Sequence, residues 1–343
     1  MKRLLIGLAS FALASCAAND APSPKKSAEQ IVAHNLDTPW AIERSDNTFY
    51  ITERPGHIVK VQHGDMKRQN ITLSAPLATA AEAGLLGFVL APDFTTSNRA
   101  FAYYTYESTK GKFNRIVELR YDESMWQEEK ILLDHIPSGT YHHGGRLKIG
   151  PDHKLYATVG DASDPNLAQQ RTSLAGKILR LNLDGSIPHD NPSSHSYVYS
   201  YGHRNPQGIV WLGRTMYASE HGNSAHDEIN RIEPGHNYGW PIIEGTATKQ
   251  MIETPLFTSG ADTTWAPSGM AASGSKLYVA ALRGTAIIEF DLKTKKQRTI
   301  VSDVGRIRDV MLVDNTLYFI TNNRDGRGTP QEGDDYLMQQ TIK

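Results

Sequence analysis

One short phrase recurs six times along the chain and constrains its fold more than any other feature. Each copy is a turn followed by an apolar, aromatic and β-branched run, and five of the six copies contain a Phe-Tyr, Leu-Tyr or Met-Tyr pair. Aligned on their centres, the copies are 52, 54, 61, 61 and 40 residues apart, the centres being Tyr50, Ala102, Tyr156, Tyr217, Tyr278 and Tyr318. Self-similarity at such a period predicts a repeat architecture.

Further β-rich runs separate the copies, each bounded by Gly, Pro, Asn or Asp, at 57–61, 115–119, 177–181 and 286–290. No segment has a long amphipathic helical period. The pattern predicts an all-β chain, a six-bladed β-propeller with four-stranded antiparallel blades, spanning residues 30–343. A pair of β-sandwiches is the alternative, but six evenly spaced copies favour the ring. The early run 31–34 is expected to close that ring by pairing with the last blade.

The composition is that of a globular protein. Of the 343 residues, 39% are hydrophobic and 21% charged, which is ample for one large core. The formal net charge of −1 provides no long-range attraction to nucleic acid or to anionic lipid. Any electrostatic recognition must therefore be local. We expect a small-molecule partner, and a monomer or homodimer.

The N-terminus has the features of a processing segment. A basic start leads into an apolar run that is too short to span a membrane, followed by the lipobox-like sequence Leu13-Ala14-Ser15-Cys16. Cys16 is the only cysteine, so it has no disulfide partner after export. We expect residues 1–15 to be a lipoprotein signal peptide and 16–29 a flexible tether after lipidated Cys16, although an ordinary signal peptide is the alternative. The anchor predicts the periplasmic side of a bacterial membrane, the outer one rather than the inner one.

Polar residues are unusually dense between Tyr199 and Pro241. One cluster spans 202–208 and a second spans 220–230, with a short apolar run between them. Burying Arg, Asn, Gln and paired carboxylates costs free energy unless a partner binds them. The stretch therefore predicts the wall of a site for a charged ligand.

A second candidate region contains two adjacent histidines, His142 and His143, followed by two glycines. Glycines allow the backbone to approach a ligand closely, and an imidazole can then reach it. Asp161 follows the strand around Tyr156 and is either an acidic partner of this region or an ordinary turn-capping residue.

Taken together, the polar motifs resemble a known family. They are Leu36-Asp37-Thr38-Pro39-Trp40, Thr52-Glu53-Arg54-Pro55-Gly56, Glu82-Ala83-Gly84-Leu85-Leu86-Gly87, Pro92-Asp93-Phe94, His142-His143-Gly144-Gly145-Arg146-Leu147, Gly160-Asp161, the two clusters above, Leu282-Arg283-Gly284, and Gly305-Arg306-Ile307-Arg308-Asp309-Val310. The chain resembles the soluble pyrroloquinoline quinone (PQQ) dependent glucose and aldose sugar dehydrogenases, the glucose/sorbosone dehydrogenase family of six-bladed propellers. The resemblance covers nearly the whole chain after the N-terminal segment.

This resemblance implies a role for each matching residue. His142 would be the catalytic base, Asp161 the carboxylate that orients it, and Arg204 a donor to developing negative charge. PQQ carries three carboxylates, and the residues that match its binding positions are Arg204, Asn205, Gln207, Arg283, Arg306 and Arg308. Planar guanidinium groups suit such a ligand, although Arg306 and Arg308 would also fit one face of a solvated strand.

The resemblance also implies Ca²⁺ and a sugar. The backbone carbonyls of Gly222 and Asn223 match the calcium ligands, with Asp227 supporting that loop or reaching the ion through water. Glu82 matches the sugar-contacting position, where an acidic residue favours an aldose dehydrogenase of loose specificity. No His- or Cys-rich spacing for zinc, iron or copper occurs in the sequence.

The implied reaction is oxidation of an aldose at its anomeric carbon to a lactone. His142 would take the hydroxyl proton while a hydride passes to PQQ, and electrons would then leave to an external acceptor. Two alternatives stay open on the residues: a Ca²⁺-dependent lactonase or esterase propeller, and a non-catalytic propeller that binds a partner. A lactonase has no need of four arginines, and a binding protein would tolerate loss of His142.

Overall fold

The computed structural model describes residues 30–78, 81–122 and 124–342. The proposed signal peptide and tether lie outside these residues. Two short helices, α1 (Phe94–Ser97) and α2 (Asn166–Gln169), accompany 24 strands in the described part of the chain. The first twelve strands are β1 (Ile31–Ala33), β2 (Pro39–Ser45), β3 (Thr48–Glu53), β4 (His57–Gln62), β5 (Asp65–Thr72), β6 (Leu85–Leu90), β7 (Arg99–Ser108), β8 (Gly111–Tyr121), β9 (Trp126–Pro137), β10 (Leu147–Ile149), β11 (Leu155–Val159) and β12 (Lys177–Leu181).

The second half continues in the same way. Its strands are β13 (Val198–Tyr201), β14 (Pro206–Leu212), β15 (Thr215–Glu220), β16 (Glu228–Ile232), β17 (Phe257–Thr258), β18 (Pro267–Ser273), β19 (Lys276–Ala281), β20 (Ala286–Asp291), β21 (Gln297–Val301), β22 (Ile307–Val313), β23 (Thr316–Thr321) and β24 (Leu337–Thr341). The prediction of an all-β chain is confirmed.

Four of the sheets are four-stranded and antiparallel, with the orders β10-β11-β12-β13, β14-β15-β16-β17, β18-β19-β20-β21 and β1-β24-β23-β22. A fifth sheet has eight strands in the order β2-β3-β4-β5-β9-β8-β7-β6. It contains two antiparallel four-stranded meanders, which are joined by a short parallel pairing of β5 with β9. The strand β1 pairs with β24, so the early run closes the last sheet as expected.

The repeated phrase forms the same strand each time. It lies in β3, β7, β11, β15, β19 and β23, the second strand of each meander. Its apolar residues are buried on both faces, as β11 shows by being buried at all five positions. A strand covered by neighbouring sheets on both faces needs such a continuous apolar run, which explains why the phrase recurs.

The first strands of the meanders contact one another in sequence order. Contacts link β2 to β6, β6 to β10, β10 to β14, β14 to β18 and β18 to β22, and β22 returns to contact β2. The sheets are therefore arranged in a closed ring, which is a propeller-like architecture. Loops that precede these inner strands meet at one end of the ring.

A buried ion pair lies among the inner strands. Arg146 Nη1 donates to Asp309 Oδ2 at 2.7 Å, and both side chains are almost fully buried. Arg146 Nε also donates to the Gln207 carbonyl at 2.9 Å, and the guanidinium lies 4.1 Å from the Trp40 ring centroid. These contacts join strands or adjoining loops from four meanders, so the Gly-Gly-Arg-Leu motif serves the architecture as well as the site.

None of the helices in the described part of the chain is long and apolar enough to cross a membrane.

Candidate functional site

A cavity of about 440 Å³ opens where the loops before the inner strands meet. Nine of the predicted site residues line it: Glu82, His142, Arg204, Asn205, Gly222, Asn223, Asp227, Arg283 and Arg306. Asp161, Gln207 and Arg308 do not line it but contact residues that do or lie behind them. A volume of this size is typical of a small-molecule site.

His142 and Asp161 form a hydrogen-bonded pair at the cavity wall. The His142 Nδ1 atom lies 2.8 Å from Asp161 Oδ1, and the carboxylate is almost completely buried. Asp161 also accepts hydrogen bonds from Trp240 Nε1 at 2.8 Å and from the backbone N–H of Ser163 at 2.9 Å. An ionised carboxylate only accepts hydrogen bonds, so it holds the proton of His142 on Nδ1. The Nε2 atom is then left with a free lone pair.

The backbone around His142 is constrained. His142 has a φ of 63°, a left-handed conformation that is uncommon for a residue with a side chain. The facing residue is Gly160, where an added Cβ would lie 2.0 Å from the His142 carbonyl oxygen. Glycine at 160 is therefore required for the close approach of the two loops that carry His142 and Asp161.

Glu82 lies on the same wall. Its Oε2 accepts a hydrogen bond from the His142 backbone N–H at 3.1 Å, and its Oε1 accepts one from Arg327 Nη1 at 2.8 Å. Burial opposes ionisation of Glu82, but the charge of Arg327 and the His142 N–H outweigh it and lower the pKa from 4.5 to about 2. Glu82 is therefore an ionised, acceptor-only group.

Arg204 and Asn205 are positioned by contacts on both sides of the cavity. The backbone N–H of Arg204 donates to Glu220, whose other oxygen lies 2.7 Å from His203 Nδ1. Asn205 Oδ1 accepts from the backbone N–H of Gly144 at 3.0 Å, which joins this loop to the His142 loop. The Arg204 guanidinium lies 5.4 Å from the Trp240 ring centroid. Its buried Nε has no hydrogen-bond partner among the described residues.

Arg306 and Arg308 lie on β22 or just before it. Arg306 donates through Nε and Nη2 to Asp325 Oδ2, at 3.0 and 2.8 Å. Arg308 is deeper, and its Nη1 donates to Gln207 Oε1 at 2.7 Å. Burial lowers the pKa of Arg308 to about 9, against the opposing effect of Asp325. The two arginines are buried, so the solvated-strand alternative for them is wrong.

Arg283 completes the basic side of the cavity. It follows β19, is exposed, and lines both this cavity and an adjoining one of about 380 Å³. Arg306 and Arg327 also line both cavities. Guanidinium groups from three separate loops therefore line the boundary between the two cavities, which suits a ligand with several carboxylates.

The loop at Gly222 and Asn223 is supported by carboxylates. Asp227 accepts from the Gly222 N–H through Oδ1 at 3.0 Å, and Glu244 accepts from the Asn223 N–H at 3.1 Å. The other oxygen of Asp227 accepts three hydrogen bonds from the segment 264–266. Asp227 thus organises two loops. No three His, Cys, Asp or Glu side chains of the described residues group to hold a metal ion.

Sequence reasoning missed several residues that line the cavity: Tyr141, His221, Ser224, Thr264, Ala266, Leu282 and Arg327. Tyr141, His221, Ser224 and Leu282 adjoin predicted residues, so proximity in sequence would have found them. Arg327 has no such signal, because its partner Glu82 is 245 residues away.

Comparison with known proteins decides the family. The family described as Glucose / Sorbosone dehydrogenase matches residues 36–330, which is most of the chain. The chain belongs to the glucose/sorbosone dehydrogenase family. The resemblance seen in the sequence motifs is confirmed.

Individual members of the glucose/sorbosone dehydrogenase family agree. The chain is 35% identical over 252 residues to quinoprotein glucose dehydrogenase B of Acinetobacter calcoaceticus, covering 63% of this chain and 53% of that protein. It is 30% identical over 342 residues to the aldose sugar dehydrogenase YliI of Escherichia coli, covering 87% and 90%. The PQQ-bound aldose sugar dehydrogenase of Streptomyces coelicolor superposes with a TM-score of 0.86 at 34% identity, covering 92% of this chain and 97% of that one. The chain thus spans about half of the first relative and most of the other two.

Proposed function

We propose that this protein is a PQQ-dependent aldose sugar dehydrogenase, which oxidises aldoses at the anomeric carbon to lactones and passes electrons to an external acceptor. The observation that carries the proposal is the His142–Asp161 pair at the wall of a cavity that Arg204, Arg283 and Arg306 also line. A base and several arginines in one cavity suit a substrate with a hydroxyl group bound beside a polyanionic cofactor. PQQ-bound and quinoprotein relatives support the same assignment.

The residues present fit PQQ. The Arg204 Nε is buried without a partner among the described residues, which is costly unless a ligand accepts from it. Arg308 is buried behind the cavity, and although burial lowers its pKa to about 9, it remains a cation at neutral pH and adds positive charge next to an anionic ligand. Arg283 is free to bind at the exposed edge. When bound, PQQ supplies an ortho-quinone that takes up the hydride from the substrate.

The chain's own residues would then position the sugar and move its proton. His142 would accept the anomeric hydroxyl proton at Nε2, because Asp161 keeps the other nitrogen protonated. The buried carboxylate would stabilise the imidazolium that forms. Arg204, which lines the same cavity, would stabilise negative charge that develops during the reaction. Glu82 would accept a hydrogen bond from a sugar hydroxyl, since its ionised form offers only acceptors.

We also propose a Ca²⁺ ion at the carbonyls of Gly222 and Asn223. Carbonyl oxygens are the ligands that a hard cation prefers, and Asp227 and Glu244 hold this loop through its N–H groups. Arg204 Nη2 lies 3.5 Å from the Asn223 oxygen, and both residues line the cavity, so this carbonyl is directed toward another cavity residue. When bound, Ca²⁺ supplies a Lewis acid. Asp227 is the organiser of the loop in this proposal, because its oxygens already accept four hydrogen bonds.

Two finer structural proposals follow. The two meanders of the eight-stranded sheet are proposed to be separate blades, which together with the other four sheets make a six-bladed propeller. The support is that each meander contributes its own inner strand, β2 or β6, to the ring. Cys16 is proposed to anchor the protein by a lipid to the periplasmic side of a bacterial membrane, supported by the lipobox-like residues 13–16.

Reconstitution tests the function. The purified protein is dialysed against a chelator and assayed with glucose and an artificial electron-accepting dye, before and after addition of PQQ and Ca²⁺, singly and together. Activity is expected only when both are present. Full activity without PQQ would overturn the proposal, and hydrolysis of a lactone substrate without dye reduction would favour the lactonase alternative.

A further inference from the structure

The ion pair between Glu82 and Arg327 brings together two loops at the cavity mouth. Glu82 precedes β6, while Arg327 lies between β23 and β24. Arg327 Nη1 donates to Glu82 Oε1 at 2.8 Å, and the Arg327 side chain is 53% exposed whereas that of Glu82 is 21% exposed. Both residues line the cavity that contains His142.

Two contacts tie this pair to the proposed base. The second oxygen of Glu82 accepts from the His142 backbone N–H at 3.1 Å. The Arg327 guanidinium lies 5.5 Å from the ring centroid of Tyr141, the residue before His142. The ring of Tyr141 is itself exposed, at 41%. Arg327, Glu82 and Tyr141 therefore form one surface immediately beside His142.

This surface contributes little to the fold. An ion pair of a half-exposed arginine is screened by solvent and adds little to stability. Arg327 is also not needed to neutralise a fully buried charge, because Glu82 retains contact with solvent and a backbone N–H. A guanidinium has five N–H groups in a fixed fork, and the contact with Glu82 uses one of the two Nη groups. The side chain is half exposed and lines the cavity, so its remaining donors are accessible to a ligand.

We propose that Arg327 is a specificity-determining residue, which together with Glu82 recognises the hydroxyl on the carbon next to the reacting carbon of the sugar. This inference rests on the proposed function and adds to it the substrate feature that the site selects. Glu82 accepts from a hydroxyl and Arg327 donates to it, so one hydroxyl satisfies both members of the pair. Tyr141 offers an aromatic face for the apolar side of the sugar ring.

The chemistry has a direct consequence for substrate choice. A 2-deoxy sugar has no group to bond with the pair, and a site that desolvates polar groups rejects an analogue that cannot satisfy them. We expect kcat/KM for glucose to exceed that for 2-deoxyglucose by about 10- to 100-fold, since the loss of a hydrogen bond to charged groups has this magnitude. Removing the guanidinium removes most of this preference.

The test compares the full-length protein, reconstituted with PQQ and Ca²⁺, with its variant Arg327→Gln. The matched control is Arg324→Gln, an exposed arginine of the same loop, which donates to the Asp334 carbonyl and does not line the cavity. Three quantities are measured: kcat/KM for glucose and for 2-deoxyglucose, PQQ affinity by absorbance titration, and calorimetric affinity for the unreactive analogues 1,5-anhydroglucitol and 2-deoxy-1,5-anhydroglucitol.

We expect Arg327→Gln to lose the preference for the 2-hydroxyl, both in kcat/KM and in analogue affinity. Its PQQ affinity should be unchanged, and Arg324→Gln should behave like the unsubstituted protein. An unchanged preference in Arg327→Gln overturns the inference, as does an equal loss in Arg324→Gln. Failure of the proposed function is seen separately, as an absence of PQQ-dependent sugar oxidation by the unsubstituted protein. The analogue affinities still test Arg327 in that event.

Discussion

Replacing Asp161 by Asn tests the proposed base directly, because the side chain keeps its shape and loses only its charge and one acceptor. The new amide group must point either toward Trp240 or toward His142. Toward Trp240, it leaves a partly buried indole N–H facing another donor, which costs about 1–3 kcal/mol. Toward His142, it leaves the backbone N–H of Ser163 without its acceptor, and because Ser163 is an exposed residue, water can replace that bond.

The second orientation is therefore favoured, and it changes which nitrogen of the His142 ring carries the proton. With an amide N–H opposite Nδ1, the His142 ring must carry its proton on Nε2, the nitrogen that would otherwise accept the substrate proton. Turnover should fall by about 10²- to 10⁴-fold, the usual contribution of a general base. The free energy of unfolding should fall by no more than about 1–3 kcal/mol. PQQ affinity should be unchanged, because Asp161 does not line the cavity.

The assays are turnover at saturating aldose, urea unfolding, PQQ titration and nitrogen NMR of the His142 ring. The control is Asp164→Asn, an exposed residue of the same loop whose carboxylate accepts from the backbone N–H and the side-chain amide of Asn166. The NMR should show a proton on Nδ1 in the unsubstituted protein and on Nε2 in Asp161→Asn. Turnover of Asp161→Asn within about threefold of normal, with the proton moved to Nε2, would refute general-base catalysis by His142.

Three further substitutions and one processing test follow from the site. His142→Ala should lower turnover by about 10²- to 10⁴-fold with PQQ still bound; loss of PQQ binding would instead make His142 part of the cofactor site. Arg204→Ala should weaken both PQQ affinity in titration and turnover, and normal PQQ affinity would contradict its assigned role. Burial lowers the pKa of His143 from 6.5 to about 4. The unfolded chain therefore binds more protons between these pH values, and the free energy of unfolding falls as pH drops from 6.5 to 4. In urea unfolding at pH 7 and 4.5, His143→Gln should lose less stability than the unsubstituted protein, and an equal loss would show that another group causes the acid sensitivity. Cys16→Ser should move the protein from the membrane fraction to the soluble fraction, and unchanged membrane association would exclude the lipid anchor.

The strands could be predicted from the repeated aromatic motif, because the pattern that marks a strand lies within a few consecutive residues. A strand covered on both faces needs consecutive apolar residues, and a turn must bound it, so 48–53 or 155–159 can be recognised without knowing what covers them. The same local logic, together with the family resemblance, placed His142, Asp161 and Arg204. These residues lie in Gly-rich loops next to such strands, and the structure brings them to one cavity.

Contacts between loops that are distant in the sequence depend on tertiary structure. The packing of the sheets places Arg327 against Glu82 and Trp240 against Asp161, although 245 and 79 residues separate them. It also buries Arg308 behind the cavity against Gln207, where the sequence suggested a direct contact with the cofactor. No local pattern encodes such pairs, because each depends on how the intervening sheets twist and pack. Local sequence therefore specifies which loops carry the chemistry, whereas the packing of the sheets specifies which side chains contact each other around the cavity.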